Sequence, residues 1–145
     1  MRNIDKIIIH CSATPPSMDI GIDIVRRWHV NERGWKDVGY HFFVKRDGTI
    51  EYGRDPETPG AHARGFNSSS LGVCYAGGVD ANMKPHDTRT DAQKHSLEML
   101  VTILRVIYGK HVEVLGHRDL PGVNKACPSF DAKKWWAEID MKHGD

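Results

Sequence analysis

The run Ile7-Ile8-Ile9, entered from Lys6 and closed by His10, leaves no polar position on either side of a strand. Side chains of a strand alternate between two faces, so a run of this kind is stable only where both faces are covered. "SLGVCYAGG", from Ser70 to Gly78, has the same character, and "HVEVLGH", from His111 to His117, reads as a last strand. Sheets built from such strands need helices on both sides, and the intervening segments supply the periodicity. From about Ile22 to Arg33 the pattern is helical, with Ile24 and Trp28 one turn apart and Gly34 placed to end it. Thr90 and Gln93 form a capping-box pattern ahead of the apolar stripe Leu97, Leu100, Val101, Leu104 and Tyr108, and Gly109 follows. "DAKKWWAEI" reads as a short final helix with Asp131 as its cap. In "YHFFVKRDGTIEYG", Asp47-Gly48 between two β-prone runs signals a hairpin. The expected fold class is α/β: a single domain over residues 1–145, with a mixed central β-sheet of about five strands flanked by about three helices.

A chain of 145 residues with 39% hydrophobic residues can bury one core. Its formal charge is +1 with no basic run or stripe, which argues against nucleic acid or an anionic membrane surface as partner. No stretch approaches the ~18 apolar residues of a membrane span, and "MRNIDKIIIH" lacks the long apolar core of a secretory signal, so the expectation is cytosolic synthesis without membrane insertion. Cys11, Cys74 and Cys127 are an odd number and lie far apart, which points to reduced thiols rather than a disulfide framework.

His10 and His117 each close an apolar strand, and ligands of open α/β sheets bind in the crevice outside the carboxyl ends of the strands. If those two strands are neighbours, the imidazoles meet. Cys127 follows His117 by ten residues, across a loop whose Pro121 and Gly122 can double the chain back. Lys125 and Cys127, two apart, share a face when "KAC" is extended. Two histidines and a thiolate suit a tetrahedral zinc site with one open position, and the sulfur favours zinc over magnesium or calcium. A competing reading keeps its weight: a histidine at a strand end is commonly a hydrogen-bonded structural residue, and a lone cysteine a small buried hydrophobe. With nine histidines in the chain, spacing alone leaves both readings open.

Six segments bear on that choice: "HCSAT" (His10 to Thr14), "VGYHF" (Val38 to Phe42), "KRDGTIEYGR" (Lys45 to Arg54), "GAHARGFN" (Gly60 to Asn67), "LGVCYAGG" and "KACPSFD". In this order, over nearly the whole chain, they resemble the zinc-dependent N-acetylmuramoyl-L-alanine amidases. The likeness is strongest to the small single-domain endolysins of short-tailed bacteriophages, relatives of the peptidoglycan recognition proteins. The resemblance implies one Zn2+ held by His10, His117 and Cys127, with Tyr40 and Lys125 as catalytic groups and His62 in a loop that contacts substrate. It implies peptidoglycan as partner, a monomer, and cleavage between the lactyl group of N-acetylmuramic acid and the L-alanine of the stem peptide. An enzyme of this type is made in the host cytoplasm and reaches the wall after the membrane is breached. His41, next to Tyr40 on a strand, is expected to point the other way and is set aside.

Two departures limit the carry-over. The segment before His10 is short, so the second role of some phage relatives, binding the phage RNA polymerase, is not transferred. "RDLPGVN", between His117 and Cys127, is more similar to cell-wall amidases and recognition proteins at large. Three rivals stay distinguishable: a thiol hydrolase would resist chelators and yield to alkylation, a non-catalytic recognition module would bind murein without cutting it, and a polymerase-binding regulator would ignore murein.

Overall fold

Among the described residues, 1–142 of this computed structural model, the strands are β1 (Lys6–Cys11), β2 (Phe42–Val44), β3 (Ile50–Tyr52), β4 (Ser70–Tyr75) and β5 (Glu113–Gly116). They form one sheet in the order β3-β2-β4-β1-β5, parallel throughout except for the β2–β3 hairpin. The hairpin turns as its Asp47-Gly48 pair predicts. Gly48 takes φ +89°, its N–H bonds the Lys45 carbonyl at 2.9 Å, and Asp47 Oδ1 accepts from the Thr49 N–H at 2.9 Å. The mixed sheet of the expected fold class is therefore present.

Both sheet faces are covered, which is why the strands read as continuous apolar runs. Ile7 and Ile9 of β1, with Leu71, Val73 and Tyr75 of β4, pack under α2 (Asp91–Tyr108) and α3 (Ala132–Lys142), whose Leu97, Leu100, Val101, Trp136 and Ile139 close that core. Ile8 turns to the opposite face with Ala63, Leu115 and Leu120. On that same side Phe43 and Cys74 pack against Ile22 and Val25 of α1 (Ile22–Arg27). Each fully buried Ile, Leu or Phe is worth roughly 2 kcal/mol over its exposed state. Alternation along β1 therefore sends His10 to the α1 side, away from the larger core.

Local signals set the ends of the helices. The capping box forms as read: Thr90 Oγ1 accepts from the Gln93 N–H at 3.0 Å, and Gln93 Oε1 from the Thr90 N–H at 3.0 Å. Gln93 also donates through Nε2 to the carbonyls of Val44 and Ala76, tying the helix to the ends of β2 and β4. Asp131 caps α3 by accepting the Lys134 N–H at 3.2 Å. The first helix runs over the expected span, but beyond α1 it widens into a π-helical turn, Trp28–Glu32, before Gly34 at φ +70°. Side-chain capping of its start comes from afar, with Glu51 Oε1 of β3 accepting the Ile22 N–H at 2.7 Å.

Candidate functional site

The parallel register of β1 and β5 sets Ile9 opposite Gly116, so the next residues, His10 and His117, leave the sheet side by side with ring centroids 4.6 Å apart. Cys127 arrives by a loop pinned at several points. The Arg118 N–H donates to the Cys127 carbonyl at 2.8 Å, and the Tyr75 hydroxyl donates to the Pro128 carbonyl at 2.6 Å. Gly116 leaves room for this approach, since a Cβ there would stand 2.6 Å from Pro128 Cδ. As a result Cys127 Sγ lies 3.9 Å from His10 Nδ1 and accepts the Cys11 N–H at 3.3 Å. One donor atom from each of His10, His117 and Cys127 falls within 4.8 Å of the others. A tetrahedral zinc with bonds of about 2.0–2.3 Å keeps its donors about 3.3–3.8 Å apart, so a contraction of roughly 1 Å would bring these atoms to bonding distance. The donor set fits the metal.

Electrostatics agree with that role. Burial, then the neighbouring His62, His117 and Lys125, push His10 well below the usual imidazole range, and burial followed by Lys125 lowers His117. Both rings are thus neutral at pH 7, as metal ligands must be. The Cys11 thiol beside it, and then burial, push the Cys127 thiol up, so binding at this sulfur requires loss of a proton. Cys74 is fully buried in the strand core, as its apolar setting predicts, whereas Cys11, also buried, backs directly onto Cys127 through its amide.

A cleft of about 290 Å³ opens over this trio and is also lined by Tyr40, Lys125 and His62. All six residues singled out in the sequence therefore meet in one place. The Tyr40 ring stands 5.1 Å from that of His10, and burial pushes its phenol well above the ordinary range, so it holds its proton. Lys125 is exposed at the rim. His62 Nδ1 lies 2.9 Å from His10 Nε2, and His62 Nε2 lies 3.2 Å from Ser70 Oγ. Both of its ring nitrogens are engaged within the chain. His41 points away from the cleft as expected: it is fully buried, bonded through Nε2 to the Thr58 carbonyl at 2.7 Å and through Nδ1 to the Gly72 N–H at 3.0 Å.

Sequence reasoning missed Ser70, His29 and Trp35. His29 and Trp35 line the cleft, and His29 Nδ1 accepts the Gly39 N–H at 2.8 Å. Burial and then Arg33 and Arg54 hold the His29 imidazole at about 4, so it stays neutral. A signal existed: Ile22, Val25 and His29 are spaced to share one helix face, and that face is the buried one. Ser70 carries no such signal.

A mixed sheet with an imidazole, imidazole and thiol cluster at the carboxyl ends of neighbouring parallel strands defines an α/β protein with a candidate metal site, and comparison with known proteins gives the family. The chain belongs to the N-acetylmuramoyl-L-alanine amidases, whose family model matches residues 1–130. Within that family it is of the small phage endolysin type. It is 47% identical over 144 residues to the endolysin of Escherichia phage T7, and 46% identical over 144 residues to that of Klebsiella phage KP32. Each match covers 99% of this chain and 93% of the relative. Among solved structures, the N-acetylmuramoyl-L-alanine amidase LysC from Clostridium intestinale superposes with a TM-score of 0.78 at 26% identity, covering 95% of this chain and 86% of that one. Drosophila PGRP-LB superposes with a TM-score of 0.76 at 25% identity, covering 100% of this chain and 85% of that one.

Proposed function

We propose that the chain is a zinc-dependent amidase that hydrolyses the bond between the lactyl group of N-acetylmuramic acid and the L-alanine of the peptidoglycan stem peptide, serving host lysis by a phage. The observation that carries this reading is the convergence of His10, His117 and Cys127 donor atoms within 4.8 Å of one another under a cleft lined by Tyr40 and Lys125. His10, His117 and Cys127 hold the metal. When bound, zinc supplies a water of lowered pKa and a Lewis acid for the scissile carbonyl.

The chain's own groups do the rest. Lys125, cationic and at the rim beside Cys127, faces the negative charge that develops on the carbonyl oxygen, and removal of one such donor commonly costs ~3 kcal/mol of transition-state stabilisation. Tyr40, protonated by virtue of its burial, donates a hydrogen bond to the same region or passes a proton to the leaving amine. His62 presents its ring edge to substrate along the cleft wall. All of these groups come from one chain, so a monomer suffices.

The test joins metal analysis to product analysis. Purified protein should hold about one zinc per chain, and His10→Ala, His117→Ala and Cys127→Ala should each lose both metal and activity. Murein digestion should release new L-alanine amino termini and whole stem peptides, stop with chelator, and leave the glycan uncut. New reducing sugar ends without new amino termini would refute the amidase assignment, and full activity without metal would refute the zinc.

A further inference from the structure

We infer that His62 is a positioning residue: through a one-way hydrogen-bond chain from the Phe66 carbonyl by way of Ser70, it fixes the tautomer of His10 and so aims the lone pair of His10 Nδ1 at the metal. The inference deepens, and rests on, the zinc reading above.

The direction of the chain follows from its fixed end. A backbone carbonyl can only accept, so the Ser70 hydroxyl spends its single proton on the Phe66 carbonyl, 2.7 Å away. Ser70 Oγ must then accept from His62 Nε2, 3.2 Å away, which puts the His62 proton on Nε2 and leaves Nδ1 as an acceptor. That acceptor lies 2.9 Å from His10 Nε2, which must therefore carry the His10 proton. His10 Nδ1, the nitrogen that faces Cys127 Sγ at 3.9 Å, is left with a free lone pair. The opposite polarity would set two acceptors against each other at the Ser70 end and leave His10 Nδ1 protonated, with no lone pair to offer a metal. A histidine ligand whose second nitrogen is held in this way keeps both its ring orientation and its basicity.

Independent features hold His62 where the chain needs it. Asn67 Oδ1 accepts the backbone N–H of both His62 and Ala63, at 2.9 and 3.0 Å, so the loop cannot swing. The ring lies against β4 at Gly72, where a Cβ would stand 2.6 Å from His62 Cγ, and Gly60 leaves similar room on another side, with a Cβ 2.8 Å from His62 Cδ2. Ser70 is fully buried, so no water competes for its hydroxyl. With both nitrogens engaged, the contact with substrate expected of this loop falls to the ring edge.

The experiment measures zinc release from purified full-length protein into excess chromophoric chelator, for the wild type and for His10→Ala, His62→Ala, His62→Asn and Ser70→Ala. His62→Ala should weaken zinc retention ~10–100-fold. His62→Asn should recover much of it, because its Oδ1 can stand in for Nδ1 as acceptor. Ser70→Ala should fall between, since His62 is then free to reverse its tautomer. Long-range 15N–1H spectra of the zinc-loaded wild type, which need no variant, should place the proton on Nε2 of both His10 and His62. A zinc-holding wild type whose His62→Ala variant releases metal at the wild-type rate, or whose His62 carries its proton on Nδ1, overturns this inference alone. A wild type that holds no zinc overturns the zinc reading and this inference together.

Discussion

Tyr40 and Lys125 reach the same cleft from opposite conditions, one packed against the strand core beside Cys74 and the other exposed on a loop. Neither is among the proposed metal donors, so their loss should be felt in turnover and not in metal retention. Tyr40→Phe and Lys125→Ala are expected to keep full zinc and the circular dichroism of the wild type, while kcat falls about 100-fold for Lys125→Ala, in line with ~3 kcal/mol for a lost oxyanion donor. Loss of zinc from either variant would show the role to be misassigned. Lys125 was within reach of spacing, two residues from a cysteine on an extended segment. Tyr40 was not, because a tyrosine read as half-buried on a strand, its hydroxyl satisfied, is far more commonly a packing residue, and only the resemblance singled it out.

Elements are joined here by buried histidines as well as by ladders. His41 precedes β2, its backbone N–H bonds the Gly72 carbonyl at 2.9 Å, and its ring fastens β4 to the loop at Thr58. Burial, ahead of its polar and charged neighbours, holds this imidazole at about 4, against about 6.5 in an unfolded chain. The unfolded state therefore takes up a proton first as pH falls. His41 contributes stability that is complete above pH ~6.5 and is lost on the way down to pH ~4, to the extent of about 3 kcal/mol. Urea unfolding should show a midpoint that drops over this window, with a shallower drop in His41→Asn from a lower start at pH 7. A midpoint independent of pH between 7 and 4 would sink the assignment. The elements themselves were legible in the sequence: the spans of β1, β4, β5, α2 and α3 follow from unbroken apolar runs, the Thr90–Gln93 box and the Asp131 cap. What stayed illegible depends on chain segments meeting at long range. No local pattern marks β1 as lying between β4 and β5, widens the helix at Trp28, or folds the Gly60–Asn67 loop back so that Ser70, His62 and His10 fall into line.

At the scale of the molecule, no helix among the described residues is long and apolar enough to cross a membrane. If the chain acts on the wall from the cytoplasmic side of a host, an intact inner membrane keeps enzyme and substrate apart. Expression in a Gram-negative host should leave culture turbidity unchanged until the membrane is permeabilised, and clearing should follow within minutes only in cells making the wild type, not His10→Ala. Lysis on expression alone would require another route across the membrane. The strand order has a further bearing on when such an enzyme becomes active. Its proposed ligands His10 and Cys127 stand 117 residues apart, so the first strand waits for a cysteine that the ribosome adds 117 residues later. A nascent chain that has not yet reached Cys127 lacks the sulfur, so the proposed site can close only after both ends of this long connection have been made, a timing control written into the connectivity.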